Sequence, residues 1–257
     1  METGWTWLLI STLCFLGGFA YVAISLRTGR YHPSPLNLCI MAVGFVAQCL
    51  FLGERGQAVG RCPITNPFEI LVFVSWSAVL LYFVLGRAFR LSLMGAFTAP
   101  LVSFFQLVSL PFLRDVPEYR PADDYWLEMH ASISLLAYGA FALACIAGVM
   151  FLVQDSLLKR AKLQELSYNL PPVTNLSKAI TRLVGIGLAL LTVGIASGFG
   201  TKTPPTGIHL FLSVCVWAAY AILIGLRFTR GLSSRLSARL SLGVFILPVI
   251  TLMMLDH

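Results

Sequence analysis

Charged residues are scarce in this sequence. Only 11% of its 257 residues are Asp, Glu, Lys or Arg, whereas a soluble domain carries about 25%. Hydrophobic residues make up 58% of the chain, and the mean hydropathy is +0.83. The weak alternation expected of barrel strands is absent as well. This composition excludes a large soluble domain and predicts an integral membrane protein built from helices.

Common catalytic signatures are also missing. The sequence contains no H-E-x-x-H motif, no G-x-S-x-G motif and no phosphate loop. None of its six cysteines forms a C-x-x-C pair, and all but Cys62 lie in apolar runs, as small buried hydrophobes do. The apolar N-terminus lacks a basic n-region and a cleavage site, so we interpret it as a first span. We therefore expect a protein without enzymatic turnover.

Eight apolar segments can be marked, and they predict an all-α polytopic membrane helix bundle with about eight transmembrane helices in one domain, 1–257. The segments are 5–26, 36–53, 68–86, 91–112, 127–153, 180–198, 207–226 and 240–255. The stretch 126–153 is predicted to organise the others because His130 stands at its mouth and small residues follow on one side: Ala131, Ser134, Ala137, Ala140 and Ala144.

The basic residues are divided unevenly between the connections. Thirteen Lys and Arg residues follow the odd-numbered spans, whereas five lie on the other side. By the positive-inside rule, both termini are outside, together with His130, His209 and His257. The basic inner loops match this topology and the anionic headgroups of membrane lipid, so they give no reason to expect a nucleic-acid partner.

The three outer histidines can be interpreted in two ways. Neutral imidazole is a good axial ligand of haem iron, and two imidazoles can bind from opposite faces. The alternative is that each histidine is simply solvated at a helix end. A haem site also needs cations for the propionates, and the predicted outer side supplies Arg55, Arg61, Arg114, Arg120 and Lys202. A zinc site is not indicated, because no spacing supplies a third tight ligand.

Two polar residues are predicted inside the spans near the outer end. Gln48 needs an internal partner and is expected to face the bundle. Glu69, close to the start of the third span, either caps that helix by interacting with its dipole or faces a polar cavity. Trp76 follows seven residues later on the same face. We therefore include Glu69 and Trp76 among the candidate cofactor-binding residues.

Four stretches together resemble the cytochrome c assembly family of the CcsA/ResC type, over about residues 36–255. They are CPITNPFEILVFVSW, MHASISLLAYGAF, RLVGIGLALLTVGIASGFG and SVCVWAAYAILIGLRF. The eight-span count is that of its short YpjD- or HemX-like branch. The resemblance implies a multi-pass protein of the inner (plasma) membrane that handles haem, and it places His130 at the position of an outer-face haem ligand.

The chain departs from the larger members of that family. Their tryptophan-rich outer segment is replaced by FGTKTPPTGIHL, with His209 near the lysine of their motif. Only His257 could stand for their last outer histidine. Gln48 and Gly225 occupy the positions of their intramembrane histidine pair. These departures argue against haem export and are those of the short branch, some of whose members influence the level of glutamyl-tRNA reductase.

Two hypotheses follow. In the first, the protein binds haem at the outer face through His130, with His209 or His257 as second ligand, in cytochrome c maturation or haem homeostasis. Its partner would be a cytochrome c assembly protein. In the second, it is a regulator without haem. It would then act on a cytosolic haem-biosynthesis enzyme through its basic inner loops. Bound haem distinguishes the two.

Overall fold

The computed structural model describes residues 4–27, 35–86, 94–114, 118–121, 123–159, 172–202 and 207–253. Within these ranges the chain forms nine α-helices and no strand. They are α1 (Trp5–Arg27), α2 (Pro35–Val59), α3 (Pro67–Gly86), α4 (Met94–Ser109), α5 (Tyr125–Lys159), α6 (Val173–Gly198), α7 (Gly207–Thr229), α8 (Ser234–Val244) and α9 (Ile246–Met253).

Seven segments of the described chain are long and apolar enough to cross a membrane, and the shorter α4 is apolar over Phe97–Ser109. This confirms the predicted multi-pass helical bundle of about eight spans. The last predicted span is divided into α8 and α9 at Phe245. Pro248 explains the break, because it has no N–H to donate to the carbonyl of Val244 and its ring would clash with that carbonyl.

Several helix boundaries differ from the predicted ones, among them the end of the second helix and the start of the sixth. The second helix continues beyond residue 53 to Val59, because the charged side chains of its last turns are held by other parts of the protein. The sixth helix starts at Val173, not at 180, and its N-cap is Pro172. Thr174 and Asn175 lie in its first turn. A proline is tolerated at the start of a helix, because the N–H that it lacks would have no acceptor within the helix.

Helix α5 is the centre of the bundle, as predicted. It packs against α3, α4, α6 and α8, and most extensively against α6. Close approach is possible where glycine faces a neighbour. A Cβ on Gly139 would lie 2.5 Å from Ser77 of α3, and one on Gly148 would lie 2.5 Å from Leu242 of α8. Three of the predicted small residues are completely buried in this packing: Ala137, Ala140 and Ala144.

The α5–α6 contact continues along both helices and includes α7. Phe141 of α5 lies over Gly187 of α6, where a Cβ would collide with the ring. On its other side Phe141 stacks on Tyr220 of α7, with ring centroids 3.7 Å apart and planes 6° from parallel. This packing fixes the rotation of α5 and sets which of its residues face α6 at the outer end.

Gln48 faces the interior, which confirms the prediction for this residue. It is completely buried, and its Nε2 donates to Ser75 Oγ at 2.6 Å. A second, longer contact runs from Nε2 to the carbonyl of Val72, at 3.4 Å. Interhelical bonds of this kind hold helices together where lipid offers no competing polar partner. Here they join α2 to α3.

Candidate functional site

His130 lies in the second turn of α5, on the side that faces α6. The helix begins just before it, where Asp124 accepts a hydrogen bond from the backbone N–H of Trp126 at 3.0 Å. An N-cap carboxylate of this kind satisfies a free amide of the first turn. The imidazole is half-buried. It is therefore attached to a rigid helix and packed on one side.

The ring of His130 is fixed by a single strong contact. Its Nδ1 lies 2.6 Å from the carbonyl oxygen of Gly194 on α6. Because a carbonyl oxygen only accepts, Nδ1 must carry the proton. In the neutral ring this leaves the lone pair on Nε2. A backbone carbonyl orients many metal-binding histidines in the same way, by fixing the tautomer and the ring direction. His130 thus has one nitrogen in use and one available.

Glycines of α6 and the residues after it make room for this arrangement. A Cβ on Gly198 would lie 2.9 Å from His130 Nδ1, and one on Gly200 would lie 2.8 Å from the ring of Trp126. A Cβ on Gly194 would meet Ser134 Oγ at 2.5 Å. We did not single out these glycines from the sequence. The spacing G-x-x-x-G-x-G over 194–200 was the available signal, since small residues mark close helix contacts.

The connection after α6 is held against the start of α5. The backbone N–H of Lys202 donates to Asp124 Oδ2 at 2.6 Å, and Lys202 Nζ donates to the carbonyl of Asp123 at 2.5 Å. The Lys202 N–H is the main reason why the pKa of Asp124 is lowered, and the N–H groups of the first turn of α5 add to it. Asp124 therefore joins two helix ends on the predicted outer side.

The opposite face of α5 is covered by the α2–α3 connection. Glu128 accepts from the backbone N–H of Cys62 at 3.0 Å, and the Cys62 thiol lies 3.4 Å from Ser132 Oγ. Burial raises the pKa of the Cys62 thiol. The first turns of α5, at its predicted outer end, are thus enclosed by α6 on the His130 side and by this connection on the other.

Glu69 forms a buried ion pair near the start of α3. Its Oε1 lies 2.7 Å from Arg55 Nε, and the two side chains are 0% and 3% exposed. Its Oε2 accepts from both the backbone N–H and the hydroxyl of Thr65, at 2.8 and 2.7 Å. The helix start is capped by Asn66, whose side chain accepts from Glu69 N at 2.9 Å.

These contacts engage both oxygens of the Glu69 carboxylate. Two oxygens accept three hydrogen bonds, and the charge is balanced by Arg55. Of the two interpretations offered by the sequence, the contacts match the structural one, in which the carboxylate stabilises the beginning of α3. The sequence did not indicate that Arg55, counted among the outer loop cations, lies within α2 and is the partner of Glu69.

Trp76 lies in the α2–α3 contact, two turns below Glu69. Its ring stacks on Phe45 of α2 at 6.1 Å between centroids, and its Nε1 donates to Cys49 Sγ at 3.2 Å. A tilted contact with Phe73 completes the cluster. Trp76 and Glu69 therefore share the face of α3 that packs on α2, whereas His130 faces α6. The structure does not bring Trp76 or Glu69 into contact with His130.

The other two candidate histidines cannot be placed relative to His130. His209 is the third residue of α7, but its side chain is outside the described part of the structure, as is the whole of His257. Their convergence on one haem remains a prediction. Within the described residues no group of three His, Cys, Asp or Glu side chains could hold a metal ion.

Most of the outer cations already have partners. Arg120 pairs with Glu118 at 2.6 Å, Arg114 lies 4.8 Å over the Trp5 ring, and Lys202 is bound as described above. Arg61 is half-buried and makes no hydrogen bond or ion pair with another described residue. It is the outer cation that remains available to an acidic group.

An apolar cavity of about 300 Å³ lies between α3, α4, α5 and α9. Phe68 and Val74 line it from α3, Phe104 and Phe105 from α4, and Tyr138 from α5. His130 does not line it. The cavity is therefore not part of the candidate site.

Comparisons with known proteins agree with this architecture. The family model described as "Cytochrome C assembly protein" matches residues 64–256. A relative named cytochrome c biogenesis protein CcsA, from Microcystis aeruginosa, is 25% identical over 302 residues, covering 95% of this chain and 90% of the relative. The protein of the same name from Chlamydomonas reinhardtii is 27% identical, covering 75% of this chain and 57% of the relative.

A further relative carries a different name. Protein HemX from Brevibacillus brevis is 28% identical over 162 residues, covering 62% of this chain and 59% of the relative. Both names occur among the groups that the sequence resembles, the CcsA type and its HemX-like branch. Because the family model matches well over half of the residues, the chain belongs to the cytochrome c assembly protein family.

Proposed function

We propose that this protein handles haem at the outer face of the inner membrane, in cytochrome c maturation or haem homeostasis, without enzymatic turnover. The observation that carries the proposal is the hydrogen bond from His130 Nδ1 to the carbonyl of Gly194, which leaves Nε2 available. Relatives named for cytochrome c biogenesis provide the context. Haem would be the cargo of the protein, bound through His130 as an axial ligand.

The residues around His130 fit such a ligand. Haem iron takes a neutral imidazole nitrogen, and a carbonyl acceptor on the other nitrogen raises the basicity of the ligand and orients it. His130 has that acceptor in Gly194, and the ring is held by a packed helix pair. His209 or His257 would provide the second ligand, and Arg61 would bind a propionate.

In this proposal Glu69 and Trp76 act by packing helices together and not by contacting haem. Both carboxylate oxygens of Glu69 are in use, and the indole of Trp76 is packed between Phe45 and Phe73. We infer that they hold α2 against α3, and so fix the connection that covers the outer end of α5. Their contribution to haem binding would be indirect, because they position the connection that packs beside the His130 helix.

The test is the absorption spectrum of the protein purified with haem. His130→Ala should shift the Soret band and lower the haem content per folded protein, because the axial nitrogen is gone. His32→Ala is the matched control. His32 lies between the first and second predicted spans, which the positive-inside rule places on the inner side, so its removal should leave the spectrum unchanged. A Soret band that is the same in wild type and His130→Ala would remove His130 as a ligand.

A second candidate function is regulation without haem, and the HemX-named relative favours it. Exposed cations are available on the predicted inner side for a cytosolic haem-biosynthesis enzyme, among them Lys178, Arg230 and Arg239. Photocrosslinkers at these three positions should then capture such an enzyme, whereas crosslinkers in the outer connections should not. Haem-free protein that still captures the enzyme would favour this candidate over the first.

A further inference from the structure

Arg227 joins three helices at the end of the bundle opposite His130. It lies in the last turn of α7 and is half-buried. Its Nη2 donates to Ser177 Oγ of α6 at 2.6 Å, and its Nη1 donates to Ser237 Oγ of α8 at 3.0 Å. Nη1 also reaches the carbonyl of Leu232 at 2.9 Å. Ser177 Oγ in turn donates to Ser234 Oγ at 2.8 Å.

This guanidinium has no acidic partner among the described residues. Its acceptors among these residues are neutral oxygens: two hydroxyls and one carbonyl. Asp155 of α5, the inner carboxylate within the described ranges, is bound instead by Arg235 at 3.0 Å and by Lys159 at 3.3 Å. Partial burial of a charge without a counter-charge is unfavourable unless an anion is supplied.

The guanidinium also has unused donors. Arginine has five N–H groups, and three of those of Arg227 are engaged within the protein. The Nε–H and one Nη2–H remain. Exposed cations flank the cluster: Lys178 follows Ser177 on α6, and Arg230 lies one turn beyond Arg227. Neither side chain makes a hydrogen bond or ion pair with another described residue.

We propose that Arg227, Ser177 and Ser234 form a phosphate-binding site at the inner surface, with Lys178 and Arg230 at its rim. Phosphate matches these groups because the planar guanidinium fork binds two of its oxygens. Ser234 Oγ accepts the proton of Ser177, so its own hydroxyl proton can be donated to a third phosphate oxygen. Basic pockets between transmembrane helices at the cytoplasmic side bind anionic lipid headgroups. The phosphate would come from such a headgroup or from a soluble phosphate compound.

The depth of the cluster relative to the apolar spans favours a lipid headgroup as the source of the phosphate. Arg227 is the third residue from the end of α7, one of the helices able to span a membrane. Its guanidinium therefore lies at the edge of the apolar span, where phospholipid phosphates are found. A purely internal role, in which Arg227 only connects α6, α7 and α8, predicts no dependence on any anion. The experiment distinguishes these cases.

In the experiment, delipidated full-length protein in detergent is titrated with each probe, and native mass spectrometry measures the fraction of protein that carries the probe. The probes are phosphatidylglycerol, phosphatidylcholine and inorganic phosphate. Wild type should bind phosphatidylglycerol, and Arg227→Gln should weaken this about fivefold. Arg239→Gln removes a charge from the same face outside the cluster and should change the affinity less than twofold. Because Arg227→Gln removes helix contacts too, Arg227→Lys, which keeps the charge but loses the fork, should give an intermediate loss.

The outcomes separate the sources and the alternatives. Competition by inorganic phosphate at millimolar concentration would support the same site with a soluble occupant. Binding of phosphatidylglycerol alone would support the lipid headgroup. If wild type and Arg227→Gln bound phosphatidylglycerol with equal affinity, the proposal would be overturned. It would also be overturned if wild type, folded Arg227→Lys and Arg239→Gln all bound it with equal affinity. Equal binding of phosphatidylglycerol and phosphatidylcholine would overturn its anion selectivity and hence the role of the cluster.

Discussion

The two polar groups at the predicted outer end of the bundle, Glu69 and His130, differ in what they leave free. The Glu69 carboxylate is completely buried, is paired with Arg55 and accepts three hydrogen bonds. The His130 imidazole is half-buried and makes one hydrogen bond, through Nδ1. A saturated buried charge stabilises the fold, whereas a fixed ring with a free nitrogen can take a ligand. This difference is why we propose a structural role for Glu69 and ligand binding for His130.

The largest effect is expected when the ion pair is broken. Glu69→Gln leaves Arg55 buried without its counter-charge, which should lower the free energy of unfolding by about 3–5 kcal/mol. Thermal unfolding in detergent measures it. The control is Glu118→Gln, which breaks an exposed pair with Arg120 and should cost less than ~1 kcal/mol. If Glu69→Gln removed bound haem while leaving the stability unchanged, the assignment of the two groups would be reversed.

A smaller effect is expected at the glycine beside the imidazole. Gly198→Ala places a methyl group 2.9 Å from His130 Nδ1, so the ring or α6 must shift, at a cost of ~1–3 kcal/mol. We expect a changed Soret band with α-helix content retained. Gly185→Ala on the same helix is the control, because its nearest neighbour would be Ile224 at an ordinary 3.6 Å. An unchanged band in Gly198→Ala would show that the position of the ring does not matter.

The smallest effect is a dependence of stability on pH through Asp124. Its pKa is lowered in the folded protein, first by the N–H of Lys202. Its contribution is therefore complete above the unfolded pKa of about 4 and is lost as the pH falls through the lower folded value. Asp124→Asn should flatten that part of the curve of melting temperature against pH. A curve identical to that of wild type would show that the contact contributes nothing.

Much of the fold could be predicted from hydropathy alone. The order of the spans, the central position of α5 and the inward direction of Gln48 are all confirmed. These features depend on length, small residues and the need to satisfy a buried amide, which are local properties. The break before Pro248 was also encoded locally, but the continuous apolar run concealed it.

The contacts of the site could not be predicted in the same way. His130 and Gly194 are 64 residues apart, and their contact depends on the rotation of two helices. Hydropathy does not set this rotation, because lipid-facing and buried surfaces of a transmembrane helix are similarly apolar. The same holds for Arg55, whose charge suggested a loop although its partner lies buried on α3. The tautomer of His130, and with it the argument for a ligand, therefore required the structure.

Chemical rescue of His130→Gly tests the central claim most directly. The substitution removes the ring and leaves space for free imidazole. If His130 Nε2 binds haem iron, the variant should lose the wild-type absorption spectrum, and imidazole at millimolar concentration should restore it. The same imidazole should not alter the wild-type spectrum. A variant that keeps the wild-type spectrum without imidazole, or one whose altered spectrum imidazole does not restore, would contradict the claim.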